Sequence, residues 1–343
     1  MTLIIIIIKK MNVINTNSLM YIRNKYILIQ IMENFSQNKL LELIRYNKKL
    51  QNSLNKNINN YIDYTKIEVE IIPKSGREGE FINIRNENDK PFFHIFFDGN
   101  DEEEKRNYLT KADEVEKIKI IIDNKIKSFS GLFKSCEVIK SINFTKFNRK
   151  NITDMSYMFT GCSSLETITF SKFHTNKVLN MRSMFSGCSK LVKLNLGNFN
   201  TEKVINMNHM FDGMKALKHL DISKFNTSNV TDMSWMFNEL SALRYINVTK
   251  FNTNNVNDMC WMFSGCTSLK KLDLDNFVTD KVTDMKSMFY RNSSLTEINM
   301  TNFNMKNVQE MNYMFTHCTS LKKLKCNDET KTKIKNKFKN LDI

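Results

Sequence analysis

One spacing governs this chain. The Met-Phe pairs place Phe159, Phe185, Phe211, Phe237, Phe263, Phe289 and Phe315 at intervals of 26 residues, and Phe133 begins the series one interval earlier. Counting each Phe as zero, Met fills columns −4 and −1, from Met155 and Met158 to Met311 and Met314. Column +6 is Ile139 and then Leu165 to Leu321, and column +9 is Ile or Leu from Ile142 to Leu324. Column +14 is Phe from Phe147 to Phe303, and column +19 is Ile152 and then Val from Val178 to Val308. No insertion breaks the register between residues 131 and 326. A unit this short cannot bury its own apolar face, so the units must stack on one another into a continuous core.

The columns also set local expectations. The phrase L-x-x-L-x-L, as in Leu269–Leu274, ends in period-two alternation and predicts a short strand with one face inward. The phrase V-x-x-M-x-x-M-F, as in Val230–Phe237, puts apolar residues at i, i+3, i+6 and i+7 and predicts a short helix. Asn and Thr before it read as caps, and Asp154, Asp232, Asp258 and Asp284 as first-turn acids. The fold class is therefore an α/β solenoid, leucine-rich-repeat-like, of about eight strand-plus-short-helix units over 131–326. Before it, IEVEII, EFINI, FFHIFF and KIKIIID predict a β-rich cap over 65–130. Residues 33–64 carry helical spacing at Leu40, Leu41, Leu43 and Ile44. Residues 1–32 read as a poorly ordered extension and 327–343 as a basic tail.

The phrase F-x-T-x-x-V-x-x-M-x-x-M-F-x-x-C-x-x-L-x-x-L-x-L, matched in FNTSNVTDMSWMFNELSALRYI and FNTNNVNDMCWMFSGCTSLKKL, resembles the BspA-like leucine-rich repeat, also known as the mycoplasma-type lipoprotein repeat. The resemblance implies a solenoid, a place on the cell surface, and a role in adhesion or partner binding. The start of the sequence points the other way. Leu3–Ile8 is a six-residue apolar run followed by Lys9 and Lys10, unlike a signal peptide, and no Cys stands near it to carry a lipid. Read alone, that favours the cytoplasm.

The net charge of +15 is uneven: residues 1–60 carry +7 and residues 322–343 carry +5, leaving +3 for the 261 residues between. The repeats are not basic, and the basic ends lack interleaved aromatics, so nucleic acid is not the expected partner. No apolar run is long enough for a transmembrane helix. Cys136, Cys162, Cys188, Cys266 and Cys318 share column +3 with Met214 and Leu240, which reads as a buried apolar slot. Cys260, at −3, reads as a half-exposed thiol open to reaction. No Cys-x-x-Cys, phosphate loop or nucleophile elbow occurs, and the five His stand apart, so no catalytic residue, metal or cofactor is expected. Function in such a chain belongs to exposed columns. On the strand side His219, Asp221, Arg244, Tyr245 and Lys271 form the candidate surface, expected to be concave. On the other side Trp235 and Trp261, both at −2, form a candidate ridge for self-association or a partner. The expected function is non-enzymatic binding of a protein or glycan. The alternative is a regulator or enzyme with its activity in 33–130 and the solenoid as a targeting arm.

Overall fold

The computed structural model describes residues 63–149, 151–171 and 173–338, with isolated positions 45, 47, 48, 51 and 52. The chain divides into a unit over Met1–Lys66 and a unit over Ile67–Ile343. The expected extension over 1–32, and nearly all of the expected helical segment over 33–64, lie outside the described residues. Everything below concerns the second unit.

It opens with a cap of alternating strands: β1 (Ile67–Pro73), β2 (Gly79–Glu80), β3 (Phe93–Phe97), β4 (Tyr108–Leu109) and β5 (Ile118–Ile122). Of EFINI only Glu80 lies in a strand, β2. In β1 every second residue is buried, with Ile67, Val69 and Ile71 fully so. Strand β1 pairs antiparallel with both β5 and β6 (Ile139–Phe147), and β6 pairs parallel with β7 (Thr167–Phe170), giving the order β3-β5-β1-β6-β7. The cap sheet thus runs without a break into the strands of repeats one and two, numbered from Phe133 and Phe159.

Beyond repeat two the strands are very short: β8 (Lys193–Leu194), β9 (His219–Leu220), β10 (Lys271–Asp273), β11 (Glu297–Asn299) and β12 (Lys323–Lys325). Strands β8 and β9 pair parallel, as do β10, β11 and β12. The predicted core columns are buried except at Leu324, which is partly buried in the last repeat; in columns −1 and +19 no residue is more than 6% exposed. Phe133, Phe159, Phe185, Phe211, Phe237, Phe263, Phe289 and Phe315 form one stack, with successive centroids 5.4 to 6.2 Å apart.

The expected short helix of each unit does not form. Within the solenoid the Val-x-x-Met-x-x-Met-Phe segments are chains of tight turns. The reason lies at column −2. Tyr157, Ser183, His209, Trp235, Trp261, Ser287 and Tyr313 all have φ between 52° and 60°, the left-handed region that a right-handed helix excludes. Alternate N–H groups then point along the solenoid axis. Met155 donates to the Asn180 carbonyl (3.0 Å), Tyr157 to Arg182 (2.8 Å), Phe159 to Met184 (2.9 Å) and Gly161 to Ser186 (2.7 Å). The same four bonds recur from Met207, His209, Phe211 and Gly213, and again from Met233, Trp235, Phe237 and Glu239. Between them, local bonds close four-residue turns, as from the Met184 N–H to the Met181 carbonyl. The spacing of three and four therefore comes from consecutive turns and not from helical pitch. The acids and amides at −5 do cap, as expected of them, but they cap a turn: Asp232, Asp258 and Asp284 each accept the N–H two residues on.

Two further ladders bind the repeats. Thr175, Thr201, Thr227, Thr253 and Thr279 are at most 1% exposed. Thr201 donates its hydroxyl to the Asn226 carbonyl and accepts the Asn226 N–H, and the other four bond alike. In column +3 the thiols of Cys162, Cys188, Cys266 and Cys318 donate to the carbonyl of the preceding repeat's Phe at 2.9 to 3.2 Å. Asn292 makes the same bond with its amide. The column is thus a donor slot as well as an apolar one.

The expected basic tail contains an ordered element, α1 (Asp328–Lys337), N-capped by Asn327. It covers the last repeat. Ile334 is fully buried, Thr330 bonds the Phe303 carbonyl, and Lys333 Nζ reaches the Met305 and Val308 carbonyls.

Candidate functional site

Alternation along each strand buries +9 and +11 and exposes +8 and +10, while +7 faces solvent beside +8. Neighbouring repeats stack these columns into rows about 4.8 Å apart. Repeats four, five and six therefore present Lys218, Arg244 and Lys270 in one row, His219, Tyr245 and Lys271 in the next, and Asp221, Asn247 and Asp273 in a third.

The strand ladder is interrupted at the centre of this surface. Repeat five, around Arg244–Asn247, belongs to no strand, although repeats four and six supply β9 and β10. At column +7, Lys218 donates its N–H to the Val192 carbonyl and Thr296 to that of Lys270. Among the described residues, the equivalent bonds from Arg244 to Lys218 and from Lys270 to Arg244 are missing. A groove of about 680 Å³ lies there, and His219, Asp221, Arg244, Tyr245 and Asn247 are among the residues that line it. Tyr245 is 68% exposed and stacks on no other ring among the described residues. Ser223 holds the Asp221 carboxyl below the ordinary range, first through its side chain and then through its N–H, which Asp221 Oδ1 accepts at 3.0 Å. Asn247 Oδ1 likewise accepts from Thr249.

Four of the five strand-side candidates, His219, Asp221, Arg244 and Tyr245, thus meet in one groove. Lys271 does not line it. Its ammonium pairs with Glu297 at 3.1 Å, and Lys323 and Lys325 approach the same carboxylate. Lys218 also lines the groove, and Lys270 continues its row. The sequence signal for both was a basic residue at +7 in three successive repeats, overlooked because Arg244 was taken singly.

Trp235 and Trp261 lie half-buried on the opposite face, stacked on each other at 4.6 Å and 11°. His209 stacks on Trp235 at 5.2 Å, and Tyr290 meets Trp261 edge-on at 5.5 Å. Ring faces here are spent on neighbouring rings, and only edges face outward. Cys260, nearby, is half-buried, and its thiol is pushed well up, first by burial and then by its bond to Asp258. A reactive thiol needs the opposite shift. Its Sγ lies within 4.8 Å of carboxylate oxygens of Asp258 and Asp284.

The cap holds a second concavity, of about 400 Å³, beside His94. The imidazole sits between Glu103 at 3.4 Å and Asp123 at 3.5 Å. No Ser, Thr or Cys nucleophile lines it.

The family described as "Mycoplasma protein of unknown function, DUF285" matches residues 127–244 and again 205–329. The chain belongs to that family. The match falls on the repeats that carry the BspA-like resemblance. Among solved structures, a leucine rich cell surface protein from Faecalibacterium prausnitzii A2-165 is similar at 16% identity, covering 57% of this chain and 62% of that one, with a TM-score of 0.30. A leucine-rich repeat protein from Bacteroides ovatus ATCC 8483 is similar at 18% identity, covering 61% of this chain and 66% of its own, with a TM-score of 0.23. This DUF285 chain thus spans just under two thirds of the length of either. No curated protein matches it. No described helix is long and apolar enough to cross a membrane.

Proposed function

We propose that this DUF285 protein is a non-enzymatic interaction module that holds a protein or glycan partner on the strand face of repeats four to six. The observation that carries the reading is the groove at the interrupted ladder, where an exposed Tyr245 stands among Arg244, His219 and Asp221. A solvent-facing aromatic beside an arginine is the composition that dominates binding energy at interfaces. The rest of the solenoid supplies a rigid frame, as repeat proteins do for extended binding surfaces. His219, Asp221, Arg244 and Tyr245 are the contact residues, with Lys271 at the margin. Trp235 and Trp261 are assigned to holding adjacent repeats together. Placement on a cell surface, where the Faecalibacterium protein is described, agrees with this use.

The test is a paired array measurement. The full chain and an Arg244→Ala, Tyr245→Ala variant are applied to protein and glycan arrays, with thermal melting of both in parallel. The reading expects partners that bind the parent and are lost from a variant of unchanged Tm. A variant that keeps every partner overturns it, as does a parent with none.

A further inference from the structure

We propose that the groove of repeats four to six binds a linear uronate-bearing glycan laid along the solenoid axis, across the strands. The inference rests on the reading above and names the chemistry of its partner. Three observations point to it.

The first is the arrangement of charge. Lys218, Arg244 and Lys270 form a cationic row along one side, all three exposed and none of them in an ion pair among the described residues. Asp221, Asn247 and Asp273 form a row of acceptors along the other. Both carboxylates are exposed and accept backbone N–H bonds at Oδ1, Asp221 from Ser223 and Asp273 from Asp275. A ligand satisfying both rows carries anions on one edge and hydroxyl donors on the other. Uronic acids have this character. A polyglutamate or nucleic-acid strand has the anions without a matching row of donors, and its charge is opposed by Asp221 and Asp273. A densely sulfated glycan meets the same opposition, because sulfation replaces the hydroxyls.

The second is the ring. Tyr245 is exposed at the groove and stacks on no ring among the described residues, whereas Trp235 lies between His209 and Trp261, and Trp261 meets Trp235 face-on and Tyr290 edge-on. A flat aromatic face accepts the axial C–H face of a sugar.

The third is spacing. Rows repeat every ~4.8 Å along the axis, whereas same-side residues of an extended peptide repeat every ~6.7 Å and fall out of register within two repeats. A monosaccharide in a linear glycan advances by about one row, and where successive rings turn over a carboxylate reaches the cationic side at every second row, at Lys218 and Lys270, while the ring between turns its carboxylate toward the neutral Asn247. The groove volume of about 680 Å³ accommodates a few linked rings.

The experiment measures binding of the full chain to oligogalacturonate, to a neutral dextrin of equal length, to heparin, to polyglutamate and to a single-stranded oligonucleotide, at low and high salt. The proposal expects oligogalacturonate to bind best, more weakly at high salt, and the neutral dextrin to bind at least tenfold more weakly, as loss of charged hydrogen bonds implies. Arg244→Ala should weaken oligogalacturonate about tenfold or more, and Tyr245→Ala roughly three- to tenfold. Thermal melting confirms that each variant is folded, and Lys218→Ala serves as a second cationic variant should Arg244→Ala not fold. Equal binding of dextrin, tighter binding of heparin, polyglutamate or the oligonucleotide, or indifference to these substitutions overturns the assignment. A different ligand that is still lost with Arg244→Ala overturns the uronate while leaving the interaction module standing. Loss of neither overturns both.

Discussion

Phe211 shows what a single position in this register does. Its ring is fully buried and lies between those of Phe185 and Phe237, at 6.0 and 5.9 Å, so it seals two interfaces between repeats. Phe211→Ala should cost about 3–5 kcal/mol, in line with other large core truncations. Denaturant unfolding of the variant checks this, and a loss below about 1 kcal/mol would contradict the stack. Cys188, in the donor slot, gives a pH prediction. Burial pushes the thiols of its column up, to about 12 at Cys162 and Cys266 and about 11 at Cys318, from an ordinary 9.0. A raised folded value means that the native state favours the neutral thiol. The contribution is whole below pH 9 and is lost as the pH climbs through about 11 to 12. Melting temperature should therefore fall steeply above pH 9, and less steeply once Cys162 and Cys188 are both replaced by Val. At neutral pH Cys188→Val should itself cost about 1 kcal/mol, since the Phe159 carbonyl loses its donor.

At the scale of the element, the left-handed positions decide the form. Each repeat has two, at −2 and +2, and glycine fills the second at Gly161, Gly187, Gly213 and Gly265. A Cβ on Gly187 would stand 3.3 Å from backbone atoms of Gly161, at a φ of +75°. Gly187→Ala should therefore destabilise by about 1–3 kcal/mol, the cost of a non-glycine residue held in that region with no room to relax. Thermal melting against a Gly197→Ala control, at ordinary φ, separates this from a general glycine effect. These positions also mark where the sequence was legible. The buried columns followed from burial alone, because apolar residues recurring in register must share a core. The course of the backbone between them did not. Val-x-x-Met-x-x-Met-Phe satisfies a helical wheel, and the residues forced left-handed at −2 in repeats two to eight are Tyr, Ser, His and Trp, none of which announces a positive φ as Gly131 does in repeat one. The groove was half legible. Exposed columns predicted which side chains meet, but the missing rungs around Arg244 were not legible, because repeat five keeps its outward columns polar and departs from the pattern only at Glu239 and Leu240, away from the strand face. The diversion of Lys271 depends on Glu297, one repeat on, which a column-by-column reading treats as a separate position.

For the whole molecule, the division of labour follows charge and order. The cap sheet closes one end of the solenoid and α1 the other, so neither terminal repeat exposes its core to water. Between them the same backbone bonds recur, and chemistry varies mainly on the outward columns and in the buried donor slot at +3. Glu297 is an example: Lys271 and Lys323 draw its carboxyl down to about 2, so the cluster persists through mild acid and is lost only as the pH falls toward that value. The DUF285 match covers these repeats and not the first 126 residues.

The inter-repeat bonds described above have a mechanical side. The rungs at −4, −2, 0 and +2, and those of the threonine and thiol columns, lie parallel to the solenoid axis and join each repeat only to its neighbour. A pull on the two ends loads these rungs one interface at a time, as a zipper, and not all together as in shear. The chain should yield in small equal steps, each releasing one repeat of 26 residues or about 85–95 Å of contour before the folded rise is subtracted. Single-molecule extension would show a regular low-force sawtooth, and one large rupture would mean that the repeats do not act singly. Protein tethered between a surface and a partner would then lengthen under load while the unbroken repeats kept their grip.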